Sequence, residues 1–217
     1  MGSVAVRQAT ADDVEAITAI QNALIATTTV EWTSTPRTVA SRAAWLRRQQ
    51  AADHPVLVAT DDAGDVVGWA SYGEFRDVAK WPGYRFTVEH TVHVRDDHRG
   101  TGVGRLLMDE LVDRARRAGN HVMVAAVTGE NTASIRFHER LGFVEVARLP
   151  EVGVKFGRWL DLVLLQRRRH DGPPPPSSRR LAVSRTAGCR RRRRRRPAAS
   201  WAGWRPGRLL RRRCRRR

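Results

Sequence analysis

Two rhythms run along this chain. Apolar residues recur either at every second position or at every third and fourth, and the switches between them mark the elements. Residues 4–8 alternate like a short strand. Thr10 stands as a helix N-cap with Asp12 and Asp13 in the first turn, and Val14, Ile17, Ile20, Leu24 and Ile25 follow at helical spacing. Residues 27–36, rich in Thr and Ser and containing Trp32, predict a loop. A second helix is expected from about 38 to 52 with Val39, Ala43, Leu46 and Gln50 inward, which puts Arg42, Arg47 and Arg48 on a solvated face. Two strands, 56–59 and 66–72, flank a hairpin turn at 61–64, and an irregular loop covers 73–83. A strand at 84–94 then runs through a charged turn and three glycines into a helix carrying Val103, Leu106, Leu107, Leu111, Val112 and Ala115. The continuous apolar run 122–127 has the character of a central strand. A short helix over 131–141 closes at Gly142, and strands at 143–148 and 160–165 follow. This order predicts an α/β domain with a mixed sheet and no internal repeat.

Charge divides the chain in two. The formal net charge is +18, but 21 Arg and a single acid, Asp171, lie from Arg167 onward. Residues 1–166 are left with 19 basic and 21 acidic side chains, a net of −2. The basicity belongs to the tail, so a basic nucleic-acid-binding domain is excluded for residues 1–166. Both cysteines, Cys189 and Cys214, also lie in the tail, which excludes a disulfide framework, a cysteine metal site and a thiol nucleophile in the domain. No N-terminal run has the form of a signal peptide, and none approaches the ~18 apolar residues that span a bilayer. The expected location is the cytoplasm.

The candidate chemistry centres on residues 88–107. A strand, a turn holding Gly100, Gly102 and Gly104, and a helix start together make a site for an anion, because the first helical N–H groups have no partner within the helix and the helix dipole favours negative charge there. The spacing fits neither the dinucleotide pattern G-x-G-x-x-G nor a nucleotide P-loop. One helix and one strand later comes a second motif, Asn131-Thr-Ala-Ser134, on a helix that ends in Gly142-Phe143.

Arg99-x-x-Gly102-x-Gly104 followed by this motif resembles the GCN5-related N-acetyltransferase (GNAT) superfamily. TTTVEW at 27–32, YRFTVEHTVHV at 84–94 and KFGRWLDLVLLQ at 155–166 resemble its phosphinothricin and methionine sulfoximine N-acetyltransferase branch. The resemblance covers nearly all of residues 4–166 and none of the tail. It implies the GNAT fold, a mostly antiparallel sheet of about seven strands flanked by four helices. It also implies acetyl-CoA as cosubstrate, no metal, and a homodimer.

Carried onto this sequence, the resemblance implies an acetyl-CoA site at Arg99, Gly100, Thr101, Gly102, Val103, Gly104 and Arg105. The pantetheine arm would pair with the backbone of Val92, His93 and Val94 like an added strand, with Asn131 and Ser134 beside it. Glu89 is the expected general base, and His138 stands where many members place a tyrosine that protonates the departing thiolate. Whether His138 serves as acid or as base stays open. A metal cluster of Glu89, His90 and His93 is set aside, since the family chemistry uses none. An amino-acid acceptor needs a carboxylate clamp, for which Arg76 and Arg85 are the candidates, with Trp32 and Phe75 as pocket walls.

The expected activity is transfer of acetyl to the α-amine of a small amino acid or analogue, by direct attack in a ternary complex. Another amine (a polyamine, an antibiotic, a protein N-terminus) is the alternative acceptor. A nucleic-acid-associated protein that senses acetyl-CoA is the alternative class. Residues 167–217 form a separate Arg- and Pro-rich segment, expected to be disordered. Two readings of it stand: an arm that binds nucleic acid or acidic surfaces non-specifically, or the product of an altered reading frame, as 21 Arg without one Lys suggests.

Overall fold

A computed structural model describes residues 3–169 and Gly172. The tail beyond Arg169, that glycine apart, lies outside the described residues. The elements are β1 (Ala5–Gln8), α1 (Val14–Thr27), α2 (Val39–Ala51), β2 (Val56–Thr60), β3 (Val66–Glu74), β4 (Thr87–Val94), α3 (Val103–Arg117), β5 (Val122–Thr128), α4 (Thr132–Arg140), β6 (Val144–Lys155) and β7 (Arg158–Arg168). The strands form one seven-stranded sheet in the order β1-β2-β3-β4-β5-β7-β6. Among these pairings only β4 with β5 is parallel, as the crossover through α3 requires. The expected mixed, mostly antiparallel sheet with four helices is what the chain forms.

Two apolar cores cover the two faces. Val103, Leu107, Leu111 and Ile135 of α3 and α4 pack with Val88, Met123, Val163 and Leu165 of the sheet. Ile17, Ile20 and Leu46 of α1 and α2 pack with Val56, Val58 and Trp69 on the other face. Leu107 is fully buried. Leu107→Ala should lower unfolding stability by about 2–5 kcal/mol, read as a shift in the denaturation midpoint.

The start of α1 follows its sequence signal. Thr10 N–H donates to Asp13 Oδ2 at 2.7 Å, and the Arg7 guanidinium holds both Asp13 oxygens at 2.7 Å.

Three elements differ from the reading of the sequence. β4 begins at Thr87 rather than at 84, because residues 82–84 form a 3-10 turn whose N–H groups are spent locally, Tyr84 on Trp81 and Arg85 on Pro82. β6 runs seven residues past 148, since register shifts between Glu145 and Ala147 and between Leu149 and Gly153 carry Pro150 and Glu151 (φ 54°) out of the ladder. β7 spans Arg158–Arg168 rather than 160–165, and so passes two residues beyond the domain boundary expected at 166. The inward stripe of α2 also differs. Val39 and Gln50 are exposed, whereas Arg42 and Leu46 are buried.

Candidate active site

β4 and β5 pair only at Thr87–Val122, Val88–Met123 and Glu89–Val124. Beyond Glu89 the two strands part. β4 stays on β3 as far as Val94, and β5 stays on β7 as far as Thr128. The β5-facing backbone of residues 90–94 is therefore without a ladder partner. Residues 90–93 line a wedge of about 130 Å³ that also takes in Ala125 to Thr128, Asn131, Ser134 and His138. A cavity opens on either side of this wedge.

The first is a groove of about 540 Å³. Val92, His93, Val94, Arg99, Gly100, Gly102, Gly104, Arg105, Asn131 and Ser134 all line it, so the structure brings together ten of the twelve residues expected there. Thr101 and Val103 do not line it. The Thr101 hydroxyl donates to the His98 carbonyl at 2.7 Å, and the Val103 side chain is buried in the core, so each has only backbone to offer. Leu24, Val30 and Phe137 add apolar surface that the sequence had not singled out.

Two glycines here serve different ends. Gly102 caps α3 at φ 96°, a left-handed conformation that side chains disfavour, and a Cβ there would face open space. At Gly104 a Cβ would come within 3.3 Å of the Phe137 ring, so this glycine lets α3 approach α4. An open, side-chain-free turn at a helix N-terminus, running onto an unpaired strand edge, fits a pyrophosphate joined to an amide-bearing arm. Asn131 has a further duty. Its Oδ1 accepts from Ser134 N–H at 3.1 Å and caps α4, which leaves its amide donors for a ligand.

Glu89 and His90 leave β4 on opposite faces, so they do not converge with His93 on one point. The half-buried Glu89 lines the wedge and also the cavity on the far side. Burial pushes its carboxyl above the ordinary glutamate range, opposed by the nearby Arg76 guanidinium. His138 is buried, and its Nδ1 lies 2.7 Å from the Ser134 carbonyl, which can only accept. The Nδ1 proton is thereby fixed, and Nε2 carries the lone pair. Nε2 is buried with no partner among the described residues. Burial holds the His138 pKa below the usual histidine value, against the Ser134 hydrogen bond. His90 stacks at 5.1 Å from His138, and burial keeps it neutral as well.

The second cavity, about 440 Å³, lies against α1 and α2 and is lined by Glu31, Arg37, Arg42, Trp45 and Trp69 as well as Glu89. The residues expected to hold the acceptor lie elsewhere. Trp32 donates from Nε1 to the Thr128 hydroxyl at 2.8 Å. Phe75 packs against Tyr84 at 5.9 Å, and the exposed Arg76 lies over the Phe75 ring at 5.3 Å. Arg85 donates to the Pro82 carbonyl at 3.1 Å and stacks on Phe86. Of these four, Arg76 alone acts on Glu89.

Arg42 overturns the solvated-face reading. It is 7% exposed, stacked over Trp45 at 4.4 Å. Glu31 was also missed, although it sits inside the TTTVEW run. It accepts from Gln21 at 2.7 Å and pairs with His93 Nε2 at 3.2 Å. Burial disfavours its charge, but these two hydrogen bonds outweigh that and hold its pKa below the usual range. The His93 ring thus faces Glu31 while the residue also lines the groove.

Comparison with known proteins agrees with this geometry. Residues 17–143 match the family model described as acetyltransferase (GNAT) family. The chain is 48% identical over 164 residues to an L-methionine sulfoximine/L-methionine sulfone acetyltransferase of Pseudomonas aeruginosa, covering 76% of this chain and 94% of that protein. It is 43% identical over 163 residues to the L-amino acid N-acyltransferase MnaT of Escherichia coli, covering 75% and 92%. The solved structure of yncA from Salmonella typhimurium, with its cofactor acetyl-CoA, superposes with a TM-score of 0.76 at 42% identity over 81% of this chain and 99% of that one. The groove along β4, the glycine turn that caps α3 and these likenesses agree: the chain belongs to the GNAT acetyltransferase family.

Proposed function

We propose that this enzyme transfers acetyl from acetyl-CoA to the α-amine of a small amino acid or analogue, of the methionine sulfone, methionine sulfoximine or phosphinothricin type. One observation carries the reading. β4 presents an unpaired backbone edge to one cavity and a carboxylate of raised pKa to the other, so donor and acceptor sites meet across one strand. Acetyl-CoA, when bound, supplies the thioester carbonyl. Gly100 to Arg105 hold its pyrophosphate through backbone N–H groups and Val92 to Val94 hold its arm, with Asn131 and Ser134 beside it.

Glu89 takes the proton that the acceptor ammonium must lose before nitrogen can attack, directly or through a water in the wedge. His138 enters the step neutral, with Nε2 ready to accept the second proton, which the acceptor nitrogen sheds once it has bonded to the acetyl carbon. Once protonated it is a buried imidazolium, and burial makes it a ready donor to the leaving sulfur. A base first and an acid afterwards, it fills both roles. The reaction is a direct attack in a ternary complex, because two separate cavities along β4 leave room for donor and acceptor at once.

A homodimer and a cytoplasmic location complete the reading. β6 is a sheet edge with Val144, Val146, Val152 and Val154 exposed, and Phe156 and Trp159 lie open at its hairpin with β7. A second copy covering this surface relieves an apolar edge. Among the described residues no helix is long and apolar enough to cross a membrane.

The direct test is CoA release with a panel of amines: methionine sulfone, phosphinothricin, ordinary L-amino acids, a polyamine and a peptide N-terminus. Turnover should concentrate on the free amino acids. Faster turnover of the polyamine or the peptide would replace the acceptor, and no turnover despite acetyl-CoA binding would end the enzyme reading.

A further inference from the structure

Two cations are buried that the reaction above leaves unused: Lys155, whose Nζ donates to the carbonyls of Ile25, Thr28 and Glu31, and Arg42, which has no such partners. Arg42 belongs to α2, and its guanidinium lies over Trp45 at 4.4 Å and Trp69 at 5.6 Å. The two indoles meet edge to face at 5.6 Å, so the fork rests on a fixed aromatic bed. Stacking engages only the faces of the guanidinium, while its N–H groups point outward in the plane and need acceptors. They find none among the described residues. Nε is buried without a partner, and Arg42 forms no ion pair with any described residue.

Burial lowers its pKa to about 10, Arg37 pushes in the same direction, and Glu31 offsets part of this. Arg42 is therefore still a cation at neutral pH. A buried, unpaired cation is costly unless a ligand supplies the missing charge. Arg42 also lines the cavity that holds Glu89, where Arg37 and Arg48 add positive charge.

From the stacked fork, its orphaned donor and its shared cavity with Glu89, we infer that Arg42 is the receptor for the acceptor's α-carboxylate. The assignment rests on the amino-acid reading above. A carboxylate matches the guanidinium fork with two parallel, charge-assisted hydrogen bonds, whereas a neutral sulfone or amide oxygen brings no charge to offset the buried cation. It is also the anionic group that every free amino acid carries whatever its side chain. Glu89 and Glu31 line the same cavity and suit the ammonium, so the cavity carries both signs needed for a zwitterion.

The test pairs L-methionine sulfone with its α-carboxamide as acceptors for the wild type, Arg42→Gln and Arg42→Lys. In the wild type kcat/KM should favour the acid. Arg42→Gln should lower kcat/KM for the acid at least about 30-fold, mainly through KM, as expected when one partner of a buried hydrogen-bonded charge pair is removed. The carboxamide should change little, acetyl-CoA affinity should hold, and Arg42→Lys should recover part of the loss. Equal losses for acid and amide would overturn the assignment, as would an unchanged KM for the acid.

Calorimetric titration of the same two compounds separates this claim from the reaction. If the wild type binds the acid in an Arg42-dependent way but acetylates neither compound, the carboxylate site stands and the acetylation reading falls. If methionine sulfone binds wild type and Arg42→Gln alike, or neither, the carboxylate site falls whatever the turnover.

Discussion

Glu89→Gln should lower turnover at least about 100-fold with any amino-acid acceptor, the lower end of what a positioned general base contributes. Glutamine keeps the shape and the half-buried packing but cannot take a proton. The fold should survive, since among the described residues no donor hydrogen-bonds the Glu89 carboxylate, and its backbone ladder to Gly73 and Val124 is untouched. Acetyl-CoA affinity should also hold, because Glu89 does not line the groove.

The pH profile adds a sign that a structural defect would not reproduce. Burial raises the Glu89 pKa above the 4.5 of an ordinary glutamate, against Arg76. The base form is the ionised one, so kcat/KM should fall as pH drops through this raised value and level off above it. Arg76→Gln removes the opposing cation and should move that limb to higher pH. A wild-type-like rate in Glu89→Gln would remove the residue from the mechanism.

Gly102→Val should weaken acetyl-CoA binding about 100-fold while leaving a folded protein. Two effects combine. The left-handed backbone at φ 96° costs a side chain roughly 1–2 kcal/mol. The larger effect is access. Among the described residues no atom lies within 4 Å of the new Cβ, which stands in the groove that Gly102 lines. Losing one charge-assisted contact from backbone N–H to phosphate accounts for about 1.5–3 kcal/mol. Calorimetry with acetyl-CoA measures the affinity, and thermal denaturation should show a shift set by the backbone term alone. Wild-type affinity would mean that the pyrophosphate lies elsewhere.

The groove was legible in the sequence because its determinants are local. A glycine turn, a capping asparagine at Asn131 and an alternating strand each carry a signature within a few residues. The strand splay that opens the wedge is foreshadowed by the same run, since Val92 to Val94 precede the turn directly. The cavity that joins Glu31, Arg42 and Glu89 was not legible. Arg42 looks like any helix-surface arginine until Trp69, from a distant strand, supplies the ring beneath it. Glu31 becomes special only when His93 and Gln21 converge on it. Arg76 and Arg85 were placed near the acceptor by loop position, and Arg85 instead closes its own turn on Pro82. The length of β6 escaped because Pro150 and Gly153 read as breakers, whereas register shifts accommodate them. Contacts between distant segments decided each of these.

Initial-velocity kinetics with acetyl-CoA and L-methionine sulfone varied together, with the product identified by mass spectrometry, test the two-cavity arrangement most directly. The account predicts intersecting double-reciprocal lines and one N-acetylated amino acid per CoA released. Parallel lines, or CoA release without an acetylated α-amine, would contradict it.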